Sequence, residues 1–433
     1  MAGLNELLRR RHKEGTPIKV ALAGAGAAAR MIALQFLTPV DGIRLVAIGN
    51  RTLAHAHHAY KEAGVASTAT ATTREELESA IARGVHAVTD NPMLLCEASN
   101  VDVIVDATGT VECAARMAID AVENGKHLVL VNAELDSTLG PILKVHADRK
   151  GVTLTNTDGD EPGVAMNLLC YLKSIGLTPV AAGNLKGMID PYRTPHTQRD
   201  FAARHSMNPK IVTSFADGTK LAMEATVLAN GSGFRVGKPG MYGPRCAHVK
   251  EIVNYLPIDQ LLNGGLVDYT LGAEPHTGAF VVVHEEHPIK RIHLRYFKMG
   301  DGPLYVFYTP FHLPHIQIAS TVARAVLLGE ATVTPVGAPV CDVAAVAKKD
   351  LTEGELLDGV GGFTAYGLIQ NSDVFNAENF LPMGLSDGCT LTRDIRKDEP
   401  IKTTDVKLPD GRFCDKLRAE QNSHFALHGS QRA

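Results

Sequence analysis

An ammonium group and a carboxylate are spaced one helical turn apart near the middle of this 433-residue chain. Residues 218–230 have the pattern of a helix, which puts Lys220 and Glu224 at positions i and i+4 on one face. Such a pair is either a surface ion pair, which stabilises little, or an acid/base couple that faces a cleft. Lys220 and Glu224 are therefore candidate catalytic residues.

A second group of chemically capable side chains forms an acidic turn after a predicted strand at 152–154. Asp158, Asp160 and Glu161 follow one another closely, next to a glycine and a proline. The turn is either a solvated loop in which Asp160 or Glu161 caps the next helix, or a contact for a substrate or a divalent metal.

Basic side chains recur in the region that follows this turn. Lys186 ends a strand-like run, and Arg245 closes a glycine-punctuated loop, residues 240–245, that would present its guanidinium group to an anion. His312 precedes a helix predicted at 316–328. Lys186 is a candidate catalytic residue, and Arg245 and His312 are candidates for binding substrate.

A glycine turn near the start of the chain indicates a dinucleotide site. An apolar run at 18–23 leads into Gly24-Ala-Gly26-Ala-Ala-Ala29, and a helical pattern continues to residue 37. Gly24 permits the turn, Gly26 lets backbone N–H groups approach a pyrophosphate, and a small residue at position 29 lets the helix pack on the strand. The start of the helix, at Ala27 and Ala28, supplies unpaired donors for the phosphates.

The next strand, predicted at 43–48, ends in Gly-Asn50-Arg51-Thr. An NAD-preferring site usually has an acidic residue here, which bonds the ribose 2′-hydroxyl group. None is present, and Arg51 offers a fork of donors for a 2′-phosphate instead. Asn50 and Arg51 therefore predict a preference for NADP; the alternative is that Arg51 is merely solvated.

Two further strands are predicted to end in polar turns at the same sheet edge. The strand at 101–106 runs into Ala107, Thr108 and Gly109, and the strand at 127–131 runs into Asn132. In a doubly wound sheet this carboxyl edge holds the nicotinamide half of the dinucleotide. These four residues are candidates for binding the cofactor.

The elements that must position these residues alternate between strand and helix up to residue 160, which predicts a parallel, doubly wound α/β sheet. From residue 180 the pattern changes to strand-like runs at 180–185, 211–215, 278–283 and 304–308, separated by loops. We therefore expect a Rossmann domain at 1–160, a central α+β domain with a mixed sheet at 161–337, and a small β-rich domain with a polar tail at 338–433.

The composition is that of an ordinary globular protein, with a formal net charge of −4 and a pI of about 6.5. Neither nucleic acid nor an anionic membrane is an expected partner. No long apolar run or signal-peptide pattern is found, and the seven cysteines show no paired spacing. These features favour a cytoplasmic protein with reduced thiols and a small-molecule substrate.

Several of these segments resemble a known family. Gly24-Ala-Gly26, residues 103–109 and residues 125–132 resemble the cofactor domain of homoserine dehydrogenases, and the paired segments 347–355 and 392–399 resemble a C-terminal SAF domain. Together they are similar to homoserine dehydrogenase-like oxidoreductases with such a tail, a group that includes 1-deoxy-D-xylulose 5-phosphate reductoisomerase-like enzymes. Where homoserine dehydrogenases have a lysine directly after the asparagine at position 132, this chain has Ala133.

The resemblance implies an NADPH-dependent oxidoreductase acting on a small polyhydroxylated or phosphorylated carbonyl compound. It makes Lys220 the polarising or proton-transferring cation, with Glu224 as its partner, while Lys186 and Arg245 hold the anionic end of the substrate. A reductoisomerase of isoprenoid biosynthesis would add Mg²⁺ or Mn²⁺, with Asp160 and Glu161 as the first ligand candidates. A homo-oligomer, dimer or tetramer, is expected. Homoserine dehydrogenase itself and a non-catalytic ligand sensor are the alternatives.

Overall fold

A parallel sheet is built by the first part of the chain, in which short apolar strands alternate with helices. The computed structural model describes residues 2–38 and 40–429. Up to residue 160 the elements are, in chain order, α1 (Ala2–Lys13), β1 (Ile18–Ala23), α2 (Ala27–Leu37), β2 (Ile43–Gly49), α3 (Leu53–Glu62), β3 (Ala69–Thr70), α4 (Arg74–Ala82), β4 (Ala87–Thr89), α5 (Met93–Glu97), β5 (Val103–Asp106), α6 (Glu112–Glu123), β6 (His127–Leu130), α7 (Ala133–Lys150) and β7 (Leu154–Asn156).

The strand order of this sheet is β3-β4-β2-β1-β5-β6-β7, and all neighbouring strands are parallel. Its central strands are apolar and almost fully buried, which is typical of a sheet covered on both faces. The predicted doubly wound sheet is confirmed. Strand β1 lies between β2 and β5, so the order reverses there, and such a reversal opens a crevice at the carboxyl ends of the strands.

The remaining elements continue the numbering. In chain order they are α8 (Glu161–Ser174), β8 (Thr178–Lys186), α9 (Arg199–Arg204), α10 (Pro209–Ala216), α11 (Thr219–Ser232), α12 (Ile258–Leu262), β9 (Leu266–Leu271), β10 (Ala279–His284), α13 (Pro288–Tyr296), β11 (Leu304–Thr309), α14 (Pro314–Leu328), β12 (Cys341–Ala347), β13 (Ala365–Asn371), α15 (Ser372–Ala377), β14 (Thr390–Leu391), β15 (Val406–Lys407) and α16 (Phe413–Gly429).

Four of these strands form a mixed sheet in the order β11-β10-β8-β9. Strand β9 runs parallel to β8, whereas β10 is antiparallel to both β8 and β11. Helices α8 and α11 pack against this sheet. Two small antiparallel sheets, β12–β13 and β14–β15, follow near the end of the chain. The predicted mixed sheet and β-rich C-terminal region are confirmed.

The chain divides into two compact units. Among the described residues, the first comprises those up to Asp160 together with Leu313–Thr334 and residues 413–429, and the second comprises Glu161–His312 and Pro335–Arg412. Within residues 2–38 and 40–429, no helix has the length and apolar character that crossing a membrane requires.

Two late helices complete the first unit. Helix α14 packs against α2, where Ile318, Val322 and Ala323 join the apolar core beneath the β1–β2 region. Helix α16 packs against α6 and α7. The helix predicted at 316–328 is confirmed as α14, and residues 413–429, within the region predicted to be β-rich with a polar tail, form α16.

Helix α16 also compensates for a proline inside α7. Pro141 has no N–H group and interrupts the backbone ladder of α7. The backbone N–H of Ile142 donates to Oε1 of Gln421, and the guanidinium of Arg418 donates to the carbonyl of Thr138. Side chains of α16 thus satisfy backbone groups that α7 cannot satisfy itself.

The strand predicted at 211–215 is wrong, because these residues lie in α10. Asn208 caps that helix by accepting the N–H of Lys210, and Pro209 occupies its first turn. These start signals outweigh the β-branched run that follows them. Helix α7 begins at Ala133, because Asn132 caps it by accepting the N–H of Leu135.

Candidate functional site

The glycine turn after β1 is shaped as its sequence predicts. Gly24 has a φ of +105°, and a Cβ atom there would lie 2.7 Å from the carbonyl oxygen of Ala107, so only glycine fits. Helix α2 starts one residue after Gly26, and no side chain caps it. Because Gly26 and Ala28 are exposed and Ala27 is half-buried, the first N–H groups of α2 are presented for an anion, and Ala29 packs inward.

The end of β2 carries the two residues predicted to choose between NAD and NADP. The amide of Asn50 donates to the carbonyl of Thr52, so this side chain shapes the turn. The guanidinium of Arg51 is exposed. With no acidic residue in the turn, Arg51 is the side chain there that could meet a 2′-phosphate.

The turn after β5 is built around a buried carboxylate, Asp106. The backbone N–H and the hydroxyl group of Thr108 both donate to Oδ1 of Asp106, at 3.0 and 2.7 Å. Gly109 has a φ of +64° and completes the turn. Burial raises the pKa of Asp106, although these hydrogen bonds favour its ionised form.

Asn132 is fully buried and holds this turn from the neighbouring strand. Its Nδ2 atom donates to Oδ2 of Asp106 at 2.9 Å and to the carbonyl of Thr110 at 2.8 Å, while its Oδ1 atom caps α7. These bonds engage both ends of the amide. Asn132 therefore shapes the 106–110 turn, and direct contact between its side chain and a cofactor stays a prediction.

The second unit brings three predicted residues together at the end of β8. The ammonium group of Lys186 donates to Oε1 of Glu161, in the first turn of α8, at 2.5 Å, and to Oε2 of Glu224, on α11, at 3.1 Å. Both carboxylate side chains are almost completely buried, at 3% and 5% exposure, whereas Lys186 is 20% exposed. Asn184, two residues earlier on the same face of β8, donates its amide to Glu224 at 3.3 Å.

The charges in this cluster stabilise one another. Burial by itself lowers the pKa of Lys186, but the charges of Glu161 and Glu224 outweigh it and raise the pKa well above its ordinary value. Burial likewise raises the pKa of Glu224, but the charges of Lys186 and Lys220 outweigh it, and the pKa is lowered. The cluster thus holds an ammonium group and the ionised carboxylate of Glu224 in a largely dry setting.

His312 lies beside this cluster. Its Nδ1 atom is 2.9 Å from the hydroxyl of Thr277, just before β10. Burial lowers the pKa of His312, the positive charge of Lys186 lowers it further, and the charge of Glu224 opposes this. A neutral imidazole next to a fixed ammonium group can accept or relay a proton.

The other predicted residues take different places. Lys220 lies one turn before Glu224 on α11, and its positive charge lowers the pKa of Glu224. Lys186 also binds the carboxylate of Glu224, a contact that the helical spacing of Lys220 and Glu224 does not predict. Asp160 is buried and directly precedes Glu161 in the chain.

Arg245 is exposed and forms a parallel bridge with Leu271, which pairs with Lys186 in the sheet. Arg245 and Lys186 thus share one cross-strand row, with backbones roughly 10 Å apart.

A buried carboxylate that sequence reasoning missed shapes the loop of Arg245. Asp268, on β9, accepts the backbone N–H groups of Tyr242, Gly243 and Tyr269 at 2.8–3.0 Å. Burial raises its pKa to about 6, although these donors oppose the shift. The signal was present as an aspartate inside the apolar run 266–271, as was Asn184 inside the apolar run that forms β8.

Family models match both parts of the chain. Residues 24–155 match the model described as "Homoserine dehydrogenase, NAD binding domain", and residues 159–318 match "Oxidoreductase DRL, catalytic domain". No curated protein matches the chain.

Solved structures give distant likenesses. A probable dehydrogenase from Thermotoga maritima is 13% identical, with 74% of this chain and 91% of that chain covered and a TM-score of 0.43. A scyllo-inositol dehydrogenase from Lactobacillus casei, solved with NAD(H) and scyllo-inositol, is 14% identical, with 61% and 73% covered and a TM-score of 0.35.

The catalytic-domain match spans Glu161, Lys186, Glu224 and His312, and the NAD-binding match spans the glycine turn and the 106–110 turn. In chain order, a match to an NAD-binding domain of the homoserine dehydrogenase type precedes a match to an oxidoreductase catalytic domain, and the protein is an NAD(P)-dependent oxidoreductase.

Proposed function

We propose that the protein is an NADPH-dependent oxidoreductase that reduces a small polyhydroxylated or phosphorylated carbonyl compound. The observation that carries the proposal is the ammonium group of Lys186, held between Glu161 and Glu224 inside the segment that matches an oxidoreductase catalytic domain. A fixed cation in a dry setting is what a carbonyl oxygen needs when a hydride reaches its carbon.

The chemistry divides between the cofactor and the protein. A hydride adds to the carbonyl carbon, the C=O π bond breaks, and the oxygen takes up the electron pair and then a proton. We assign to Lys186 the stabilisation of the developing negative charge. Lys220 is the proposed proton donor, and His312 is a proposed contact to the substrate hydroxyl groups.

The finer form of the proposal is a reductoisomerase activity on 1-deoxy-D-xylulose 5-phosphate. Carboxylate oxygens of Glu161 and Glu224 lie within 4.8 Å of each other, and paired oxygen donors suit Mg²⁺ or Mn²⁺. Asp160, the preceding residue, is also a candidate ligand. A bound divalent ion would stabilise the enediolate-like charge of a rearranging keto-sugar phosphate. Lys186 and Asn184 keep the carboxylates oriented.

Arg51 and Arg245 carry the proposed specificity. Arg51 would bond the 2′-phosphate of NADPH, and no carboxylate in its turn would repel that group. Arg245 would hold an anionic end of the substrate at roughly 10 Å from the row position of Lys186, a span that suits a phosphorylated chain of several carbons. The SAF-like character of residues 338–420, a place in isoprenoid biosynthesis and a homo-oligomeric assembly stay predictions.

The test is oxidation of NADPH by the purified protein, followed by absorbance. The substrate is 1-deoxy-D-xylulose 5-phosphate, with and without Mg²⁺ or Mn²⁺, and NADH is run in parallel. Metal-dependent turnover with NADPH would support the finer form. Turnover of other keto-sugars or keto-polyols, but not of this one, would leave only the broader form. No turnover of any carbonyl compound while NADPH binds would overturn both.

Homoserine dehydrogenase activity is the second candidate. The observation that favours it is the match of residues 24–155 to the cofactor domain of that enzyme. Ala133, where those enzymes have lysine, opposes it. Oxidation of homoserine with NADP⁺ in the same assay would establish this activity in place of the first.

A further inference from the structure

Lys348 makes a buried ion pair with Asp217. It follows β12 directly, and its ammonium group donates to Oδ2 of Asp217 at 2.7 Å and to the carbonyl oxygens of Arg193 at 2.8 Å and Gly362 at 2.7 Å. These bonds use all three protons of the ammonium group. The side chains of Lys348 and Asp217 are 2% and 0% exposed.

Asp217 stands at the start of α11. The capping residue of that helix is Gly218, in the left-handed conformation and with no side chain to offer. The carboxylate of Asp217 takes over this role, since its Oδ1 atom accepts the N–H of Thr219 at 2.8 Å. A negative charge at this end of a helix also complements the helix dipole.

A second bond ties the same helical turn to the same small sheet. The hydroxyl oxygen of Thr219 accepts the backbone N–H of Gly367, on β13, at 2.8 Å. Strands β12 and β13 pair with each other, so the first turn of α11 is anchored at two points to one two-stranded sheet.

The anchored helix carries the functional side chains. Lys220 lies in its first turn, and Glu224, seven residues beyond Asp217, is roughly 10 Å along the helix axis. A rotation or shift of the first turn would therefore move the carboxylate of Glu224 relative to Lys186. A misplacement of ~1 Å at a reacting centre can cost about 10²-fold in rate.

We propose that Lys348 is a positioning residue, which acts through Asp217 to fix the rotation of α11 and so the place of Lys220 and Glu224 in the catalytic centre. The inference rests on the proposed function for its catalytic consequence. A buried ion pair often stabilises a fold no more than two apolar side chains in its place would. Its directional hydrogen bonds, however, specify one arrangement of the groups that make them.

The test compares the double variant Asp217→Asn/Lys348→Met with the wild-type protein. Removing both charges avoids leaving one of them buried alone, which a single substitution would do. Lys349→Met is the matched control, because the neighbouring Lys349 is exposed and pairs only at the surface with Glu355. The double variant should unfold cooperatively, bind NADPH as the wild type does, and lose about 30-fold or more in kcat with a smaller change in KM.

A folded double variant with a kcat within about threefold of wild type would overturn the proposal. If the wild-type protein turns over no carbonyl compound, the proposed function fails and amide hydrogen exchange decides the positioning role. Faster exchange confined to residues 219–224, with β8 and β10 unchanged, would then support the anchoring of α11 by Lys348. Unchanged exchange there would overturn it.

Discussion

The ammonium nitrogen of Lys186, at the end of β8, lies 3.1 Å from a carboxylate oxygen of Glu224 on α11. Glu161 binds the same nitrogen from α8. One cation therefore joins two helices and a strand, and its removal should affect both the fold and the chemistry.

We expect Lys186→Met to destabilise the protein by about 3–5 kcal/mol, because two buried carboxylates lose their common partner. Its kcat/KM should fall by about 10²–10³-fold, since the charge proposed to stabilise the carbonyl oxygen is gone. Urea unfolding and NADPH-coupled kinetics at low temperature measure the two effects.

Lys150→Met is the control for this substitution, because Lys150 is 40% exposed and its partner Glu123 is 48% exposed. It should change neither quantity by much. A Lys186→Met protein with wild-type kcat/KM would remove Lys186 from the mechanism, whatever its effect on stability.

Arg51→Ala should weaken NADPH binding about tenfold or more while leaving NADH binding nearly unchanged. A hydrogen-bonded contact with a charged group contributes about 1.5–3 kcal/mol, and only NADPH carries the 2′-phosphate. Fluorescence titration with the two nucleotides gives the ratio of dissociation constants. Arg74→Ala, at an exposed pair on α4, is the control. Equal losses for NADPH and NADH would contradict the predicted role of Arg51.

Asn132→Ala should cost about 2–4 kcal/mol of unfolding free energy, because it removes a helix cap and the hydrogen bond that Oδ2 of the buried Asp106 accepts. NADPH binding should weaken as well, since the 106–110 turn loses its anchor. Thermal unfolding and nucleotide titration check the two parts. Asn124→Ala, at the exposed end of α6, should have little effect. Unchanged stability would show that the turn does not depend on Asn132.

Asp136 gives a pH-dependent prediction within the first unit. Burial raises its pKa to about 6, although a hydrogen bond from Asn156 opposes the shift. Because the folded state binds this proton more tightly than the unfolded chain, the stabilisation is present below about pH 4 and is lost as the pH rises through about 6. The loss is on the order of 3 kcal/mol.

Asp136→Asn stays neutral at every pH and can still accept the bond from Asn156. Its unfolding free energy relative to wild type should therefore rise by up to about 3 kcal/mol between about pH 4 and pH 8. Asp148→Asn, an exposed position on the same helix, should show no such trend. A pH-independent difference for Asp136→Asn would contradict the raised pKa.

The sequence predicted the cofactor turn well because its signals are local. Gly24 and Gly26 follow a strand and precede a helix, and each glycine meets a demand of its own neighbourhood. The cluster of Lys186, Glu161 and Glu224 could not be derived in the same way. Glu161 and Glu224 lie 25 and 38 positions from Lys186, and only the pairing of α8, α11 and β8 brings them together. The helical spacing of the sequence predicts the pair of Lys220 and Glu224 instead.

The errors in secondary structure have a similar cause. Residues 211–215 have the composition of a strand, but Asn208 and Pro209 start a helix just before them. Asn132 stands at the sheet edge where a cofactor contact is predicted, and it also starts α7 there by accepting the N–H of Leu135. In both places a capping side chain outweighed the residues that follow it.

The first unit is built from three separate segments of the chain, so its folding depends on the order of synthesis. Residues up to Asp160 are synthesised first, but the core beneath β1 and β2 also needs Ile318 and Val322, and α7 needs Gln421. During synthesis, part of the apolar core of the nucleotide-binding region therefore stays exposed until the second unit has been translated. The first unit can complete its packing only after α16 has been synthesised.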